Sequence, residues 1–154
     1  MIKPRENIKK LRPYTSARDL VKEEDLIFLD ANENPFDNGL NRYPDPHQQE
    51  LKDVLAGKLQ VKASQIFIGN GSDEVIDLVI RAYAEPGKDR IITLGPTYSM
   101  YEVQAAIQDV EVKEISLDED FQPNPDKVMR EVTARDKILF LCSPKQPNRQ
   151  SDES

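Results

Sequence analysis

The chain of 154 residues has one cysteine, one histidine and no tryptophan. A lone thiol closes no internal disulfide, so the fold depends on packing and fits a reducing compartment. Cys142 sits in an apolar run, which reads as a packed thiol rather than a nucleophile. His47 follows a Pro-Asp-Pro turn. With one cysteine and one histidine, a zinc site or a Cys/His catalytic pair has no material. Cations are also short: 21 Lys and Arg stand against 28 Asp and Glu, for a net charge of −7. That balance opposes general nucleic-acid binding, which requires a basic face. No apolar run reaches the roughly 18 residues of a membrane span. Met1-Ile2-Lys3-Pro4-Arg5 lacks the apolar core of a secretory signal. These absences leave an expectation of a cytoplasmic chain with neither a nucleic-acid nor a membrane partner.

What is present is alternation. The first ~20 residues are basic with a helical flavour, ending near Pro13. Ile27-Phe28-Leu29 reads as a short strand, and Ala31 to Pro46, rich in Asn, Pro, Asp and Gly, as loop. Leu51, Val54, Leu55 and Leu59 recur at helical spacing within 48–59. From Ile66 onward the pattern is strand (66–68), helix (to about Ala84), strand (90–94), helix (99–108), strand (110–115), helix (125–132) and strand (137–142). Val75, Ile76, Leu78, Val79 and Ala82 give the apolar face of the second helix, which Pro86-Gly87 ends. Such alternation predicts a parallel sheet flanked by helices.

Two turns at strand ends carry candidate chemistry. Gly69-Asn70-Gly71-Ser72-Asp73-Glu74 turns sharply into a helix, with Ser72 or Asp73 as its cap. The free N–H groups of the first turn suit an anion. The segment is neither a Walker loop nor a GxGxxG fingerprint, and an ordinary capped helix fits it equally well. Gly95-Pro96-Thr97-Tyr98-Ser99-Met100-Tyr101 lies at the carboxyl end of the next strand, where ligands of open parallel sheets gather. An aromatic there can stack on a flat ring or simply pack. Asn41-Arg42-Tyr43-Pro44-Asp45-Pro46 holds a tyrosine in a Pro-bracketed loop suited to binding, to a subunit contact or to a surface turn.

Taken in order, Leu11-Arg12-Pro13-Tyr14-Thr15-Ser16-Ala17-Arg18, Asp30-Ala31-Asn32-Glu33-Asn34-Pro35, Asn41-Arg42-Tyr43-Pro44, Gly69-Asn70-Gly71-Ser72-Asp73-Glu74, Arg81-Ala82-Tyr83, Glu85-Pro86-Gly87, Pro96-Thr97-Tyr98 and Phe140-Leu141-Cys142-Ser143-Pro144 resemble the N-terminal part of the histidinol-phosphate aminotransferases, which are pyridoxal-phosphate enzymes of fold type I. The resemblance covers roughly 11–144. It implies a partial three-layer α/β/α large domain with an incomplete, mostly parallel sheet. It divides the chain into an N-terminal arm with a dimer and substrate loop (1–46), a partial cofactor-binding domain (47–144) and a tail outside the family pattern (145–154). The family cofactor is pyridoxal 5'-phosphate. The resemblance assigns its phosphate to the backbone N–H groups of Ser72 and Asp73, and its ring to Tyr98. Tyr43 would reach the phosphate and substrate of the other subunit of a homodimer. Tyr14 would line the substrate pocket near the substrate phosphate. The implied reaction moves an amino group between L-histidinol phosphate and 2-oxoglutarate in histidine biosynthesis. A same-fold aminotransferase with another amino-acid substrate is the alternative.

The tail departs from that pattern. In the family, Ser-Pro is followed by Asn-Asn-Pro-Thr-Gly; here Lys145-Gln146-Pro147-Asn148-Arg149 stands in its place. A single-base insertion in a gene encoding the family pattern is compatible with this tail, and a diverged short protein is the alternative. The family's Schiff-base lysine has no counterpart in this chain, so it is expected to be inactive alone, or to serve as a non-catalytic piece binding a full-length subunit or a complementary half. Its sheet lacks the later strands, so the strand at 66–68 is expected to lose its neighbour. The exposed apolar surface then favours association or partial disorder.

Overall fold

The computed structural model describes residues 3–15 and 26–143. The tail from Pro144 onward lies outside the described residues, as does the Ser16-Ala17-Arg18 part of the N-terminal motif. The chain divides into two units, one of Met1–Leu11 with Gly69–Ser154 and one of Arg12–Ile68.

The first unit holds helix α1 (Glu6–Lys9), and the second holds α2 (Gln49–Leu59). The first unit continues with α3 (Gly71–Tyr83), β1 (Arg90–Gly95), α4 (Met100–Ile107), β2 (Glu111–Ser116), α5 (Pro125–Glu131) and β3 (Asp136–Phe140). The three strands form a parallel sheet in the order β2-β1-β3. This is the expected α/β architecture, and each strand lies within about two residues of its predicted place. β1 is central because Ile91-Ile92-Thr93-Leu94 can be buried on both faces, as an interior parallel strand requires. Its side chains alternate. Ile91 joins Ile76, Ile80 and Ala84 of the α3 segment, Tyr101 and Ala105 of α4, and Val110. Ile92 and Leu94 join Ile115 and Val128 of α5. Helices therefore cover both faces of the sheet: α3 and α4 on one, the short α5 on the other.

The cover is uneven. Leu139 is 39% exposed and Leu141 58%, on the face that α5 only partly covers. The buried stripe of α3 is Ile76, Ile80 and Ala84, four residues apart, while Leu78, expected on the apolar face, is turned outward. β3 carries a register shift: Asp136 faces Arg90 and Ile138 faces Ile91, leaving Lys137 as the extra residue. The Arg90 guanidinium spans this irregularity, donating to both carboxylate oxygens of Asp136 at 2.6 and 3.0 Å.

In the second unit, α2 occupies the predicted helix, entered through Asp45, whose carboxylate accepts from the backbone N–H groups of His47 at 2.8 Å and Gln49 at 2.7 Å. Those bonds, Gln49's first, lower the Asp45 pKa. The Asn- and Asp-rich stretch is loop as expected, folded by side chains that accept from N–H groups two residues on, at Asn34, Asp37 and Asn38. Two predicted strands are absent. Ile27-Phe28-Leu29 is irregular, with Ile27 and Leu29 almost fully exposed. Ile66-Phe67-Ile68 follows a 3-10 turn (Ala63–Gln65) with extended dihedrals at Ile66 but pairs with no described strand. A strand requires a partner for its main-chain groups. The apolar spacing of 66–68 is strand-like, yet the pairing that would realise it is missing.

Candidate functional site

The candidate site is built at the start of α3 and the end of β1. Gly71 takes φ +78°, a conformation that costs a residue with a Cβ. This turn starts the helix without help from the side chains expected to cap it. The N-cap is Asn70, its side chain makes no capping bond, and Ser72 and Asp73 already lie inside the helix. The Glu74 carboxylate instead reaches back to accept from the Asn70 backbone N–H. The first turn of this 13-residue helix thus presents N–H groups that Asn70 does not cap, at the positive end of the helix dipole. Ser72 is exposed and Asp73 half-buried.

Tyr98 is brought to the same place by β1. The strand ends at Gly95, a cis peptide bond joins it to Pro96, and the turn delivers Tyr98 just before α4. The Tyr98 hydroxyl donates to the Asp73 carboxylate, 3.0 Å from one oxygen and 3.3 Å from the other. Its ring meets the ring of Tyr101 edge-on, with centroids 5.8 Å apart and planes at 88°. Tyr101 in turn stacks on Phe140 of β3, at 4.5 Å and 15°. The bond to Asp73 raises the Tyr98 hydroxyl pKa above the ordinary tyrosine value, with burial and the Asp73 charge adding to it. Burial, with lesser contributions from Cys142 and Tyr98, pushes the Tyr101 hydroxyl up to about 12.

Beside this turn lies a cavity of about 310 Å³ lined by, among others, Thr93, Tyr98, Tyr101, Glu102 and Glu114. The Glu114 carboxyl crosses Gly95 where a side chain would otherwise stand. A larger hollow of about 710 Å³ opens at the opposite, amino ends of the strands. Its charged lining is largely consumed by pairs such as Arg5 with Glu85 and Lys137 with Asp89.

The structure therefore brings Ser72, Asp73 and Tyr98 together. Tyr14 and Tyr43 belong to the second unit. Tyr14 is 86% exposed and Tyr43 59%. The loop around Tyr43 is held by Glu33, whose carboxylate accepts from the Tyr43 backbone N–H at 2.8 Å and pairs with Arg42 at 2.9 Å. No group of His, Cys, Asp and Glu among the described residues could hold a metal ion.

A helix N-terminus joined to an aromatic at the carboxyl end of the neighbouring strand suits a flat, phosphorylated ligand. Residues 22–148 match the family described as aminotransferase class I and II. The chain belongs to the class I and II aminotransferases. This aminotransferase chain is 57% identical to the histidinol-phosphate aminotransferase of Flavobacterium johnsoniae, over 97% of its own length and 44% of the relative's. It is 50% identical to that of Christiangramia forsetii, over 97% of its length and 43% of the relative's. The chain thus spans less than half the length of these curated relatives. The crystal structure of the histidinol-phosphate aminotransferase from Clostridium acetobutylicum superposes with a TM-score of 0.64 at 25% identity, covering 75% of this chain and 33% of that one. The enzyme from Sinorhizobium meliloti, solved with pyridoxal-5'-phosphate, shares the fold with a TM-score of 0.61 at 23% identity, covering 69% of this chain and 28% of that one.

Sequence reasoning missed the side chain of Asp73. It offered Asp73 as a helix cap or a backbone N–H donor, whereas its carboxylate ties α3 to Tyr98. The two residues are 25 positions apart, and no local spacing signals their meeting. The stack of Tyr101 on Phe140 was equally illegible, because it needs β3 placed beside β1.

Proposed function

We propose that this chain supplies the phosphate cradle and ring platform of a histidinol-phosphate aminotransferase, a homodimeric cytoplasmic enzyme moving an amino group between L-histidinol phosphate and 2-oxoglutarate. The observation that carries this reading is the 57% identity, over almost the whole chain, to a relative of that name. The residues present fit pyridoxal 5'-phosphate. The first turn of α3 has N–H groups that Asn70 leaves uncapped for a phosphate, and Tyr98 offers an aromatic face tied to that turn. When bound, the cofactor supplies the electron sink for bonds at the amino-bearing carbon.

In this reading Ser72 and Asp73 hold the cofactor phosphate through their backbone N–H groups, and the Tyr98 ring orients the cofactor. Tyr43 contributes to the cofactor and substrate site of the partner subunit, and Tyr14 to the pocket for the substrate phosphate. The resemblance gives no lysine of this chain the Schiff-base role, and among the described residues no lysine lines the cavity beside Tyr98. The 154 residues alone are therefore expected to bind pyridoxal phosphate weakly and to turn nothing over. Titrating the cofactor into the purified chain, followed by an assay with L-histidinol phosphate and 2-oxoglutarate, tests this. Turnover by the chain alone contradicts the reading.

The exposure of Leu139 and Leu141 beside β3, an edge strand of the sheet among the described residues, favours a second role, as a non-catalytic piece that docks onto a full-length subunit or a complementary half. Failure to co-purify with a co-expressed full-length relative counts against it.

A further inference from the structure

We propose that Asp73 is a positioning residue whose carboxylate, by accepting the Tyr98 hydroxyl, sets the orientation of the Tyr98 ring beside the first turn of α3. This rests on the reading above, in which that ring is the cofactor's platform. The Tyr98 side chain packs against the core cluster on the α3 and α4 face of the sheet, and two further contacts hold its hydroxyl and its ring. The hydroxyl is bound to Asp73 at 3.0 and 3.3 Å, and the ring meets Tyr101 edge-on. Tyr101 is buried and stacked on Phe140, so it is a fixed wall. A wall alone lets a half-buried ring swing; a bond at the far end stops it. Asp73 belongs to α3, and Tyr98 follows β1, so the same bond holds the ring in register with the helix turn.

The bland alternative is that Asp73 acts only as an acid in the first turn of a helix, where negative charge is favourable. The two accounts differ over Asp73→Asn and Asp73→Ala. Both substitutions remove the charge, but only Asn keeps an acceptor for the Tyr98 hydroxyl. A helix-dipole role makes the two variants alike. A positioning role makes Asn a partial rescue of Ala.

The experiment uses the 154-residue chain, its Asp73→Asn and Asp73→Ala variants, and Tyr98→Phe. Near-ultraviolet circular dichroism reads the fixed asymmetry around the tyrosines. A spectrophotometric pH titration reads tyrosinate, with Tyr98→Phe subtracted to isolate Tyr98. The ionisable groups that line the cavity with Tyr98 are Tyr101, Glu102 and Glu114, all unchanged in these variants. Asp73→Ala is expected to lose the Tyr98 near-ultraviolet signal and to bring its ionisation down in pH. Asp73→Asn is expected to keep the signal while also ionising earlier. In parallel titrations, Asp73→Ala should weaken pyridoxal phosphate roughly fivefold, the worth of one hydrogen bond, and leave inorganic phosphate no weaker. Identical signals for the wild type and both Asp73 variants overturn the inference, as does an Ala variant indistinguishable from Asn. If Asp73→Ala does not fold, Asp73→Asn against Tyr98→Phe still decides: an unshifted Tyr98 ionisation in Asp73→Asn refutes the bond. Failure of the wild-type chain to bind pyridoxal phosphate counts against the proposed function. The dichroism and ionisation readings judge the inference whatever that result.

Discussion

Removing the carboxylate of Asp136 should open the sheet. Its side chain is only 2% exposed and that of Arg90 14%. Arg90 donates to both of its oxygens, and Thr133 adds its backbone N–H at 2.7 Å and its hydroxyl at 2.9 Å. This set closes the turn into β3 and bridges the register shift at Arg90. Truncating one partner of a buried pair costs about 3–5 kcal/mol, because the other charge is stranded. Glu111, 3.4 Å from Arg90 and half exposed, remains as a weaker partner. The expected cost of Asp136→Ala is therefore the lower end, about 3 kcal/mol. Native-state hydrogen exchange of the β1 and β3 amides measures it as a fall in opening free energy. The pH dependence follows from the sign of the shift. The Arg90 bond, ahead of the Thr133 bonds, holds the Asp136 carboxyl well below its ordinary value of 3.8. A carboxylate depressed in the folded state stabilises fully above the unfolded value, and this is lost as pH falls through the folded one. The gap between wild type and Asp136→Asn should stay constant from neutral pH to about 4 and shrink below that. A gap that is absent at neutral pH, or that persists undiminished in strong acid, refutes this reasoning.

Tyr101→Ala should cost about 3 kcal/mol, since it removes a buried ring stacked on Phe140; opening free energies from exchange at α4 check this, and a loss below 1 kcal/mol contradicts it. Gly71→Ala should cost about 1 kcal/mol, because φ +78° places a Cβ in the left-handed region; an unchanged urea midpoint would show that the turn relaxes freely. Leu141 and Met129, 58% and 73% exposed, should make the chain associate as concentration rises, and sedimentation showing a monomer throughout contradicts that.

Much of this fold is legible because periodicity is local. The alternation of apolar runs with helical spacing from 71 to 140 needs no tertiary knowledge, whereas the central place of β1 shows only once its two neighbours are in position. Ile27–Leu29 and Ile66–Ile68 fail for one shared reason: strand-like residues become strands only beside a partner. At the site, Ser72, Asp73 and Tyr98 are legible as turn residues at strand ends, but their joining is not. The Asp73–Tyr98 bond depends on how α3 packs against β1 and α4. The cap of α3 was misread because the turn at Gly71 starts the helix two or three residues earlier than expected, making Asn70 the last residue outside it.

The most direct test of the central claim is a chimera in which this chain's residues 11–143 replace the matching stretch of the Flavobacterium johnsoniae relative, assayed for amino transfer from L-histidinol phosphate to 2-oxoglutarate. Turnover that survives the exchange and is lost with Tyr98→Ala is the predicted result. A folded chimera that binds pyridoxal phosphate yet is inactive toward L-histidinol phosphate contradicts the account.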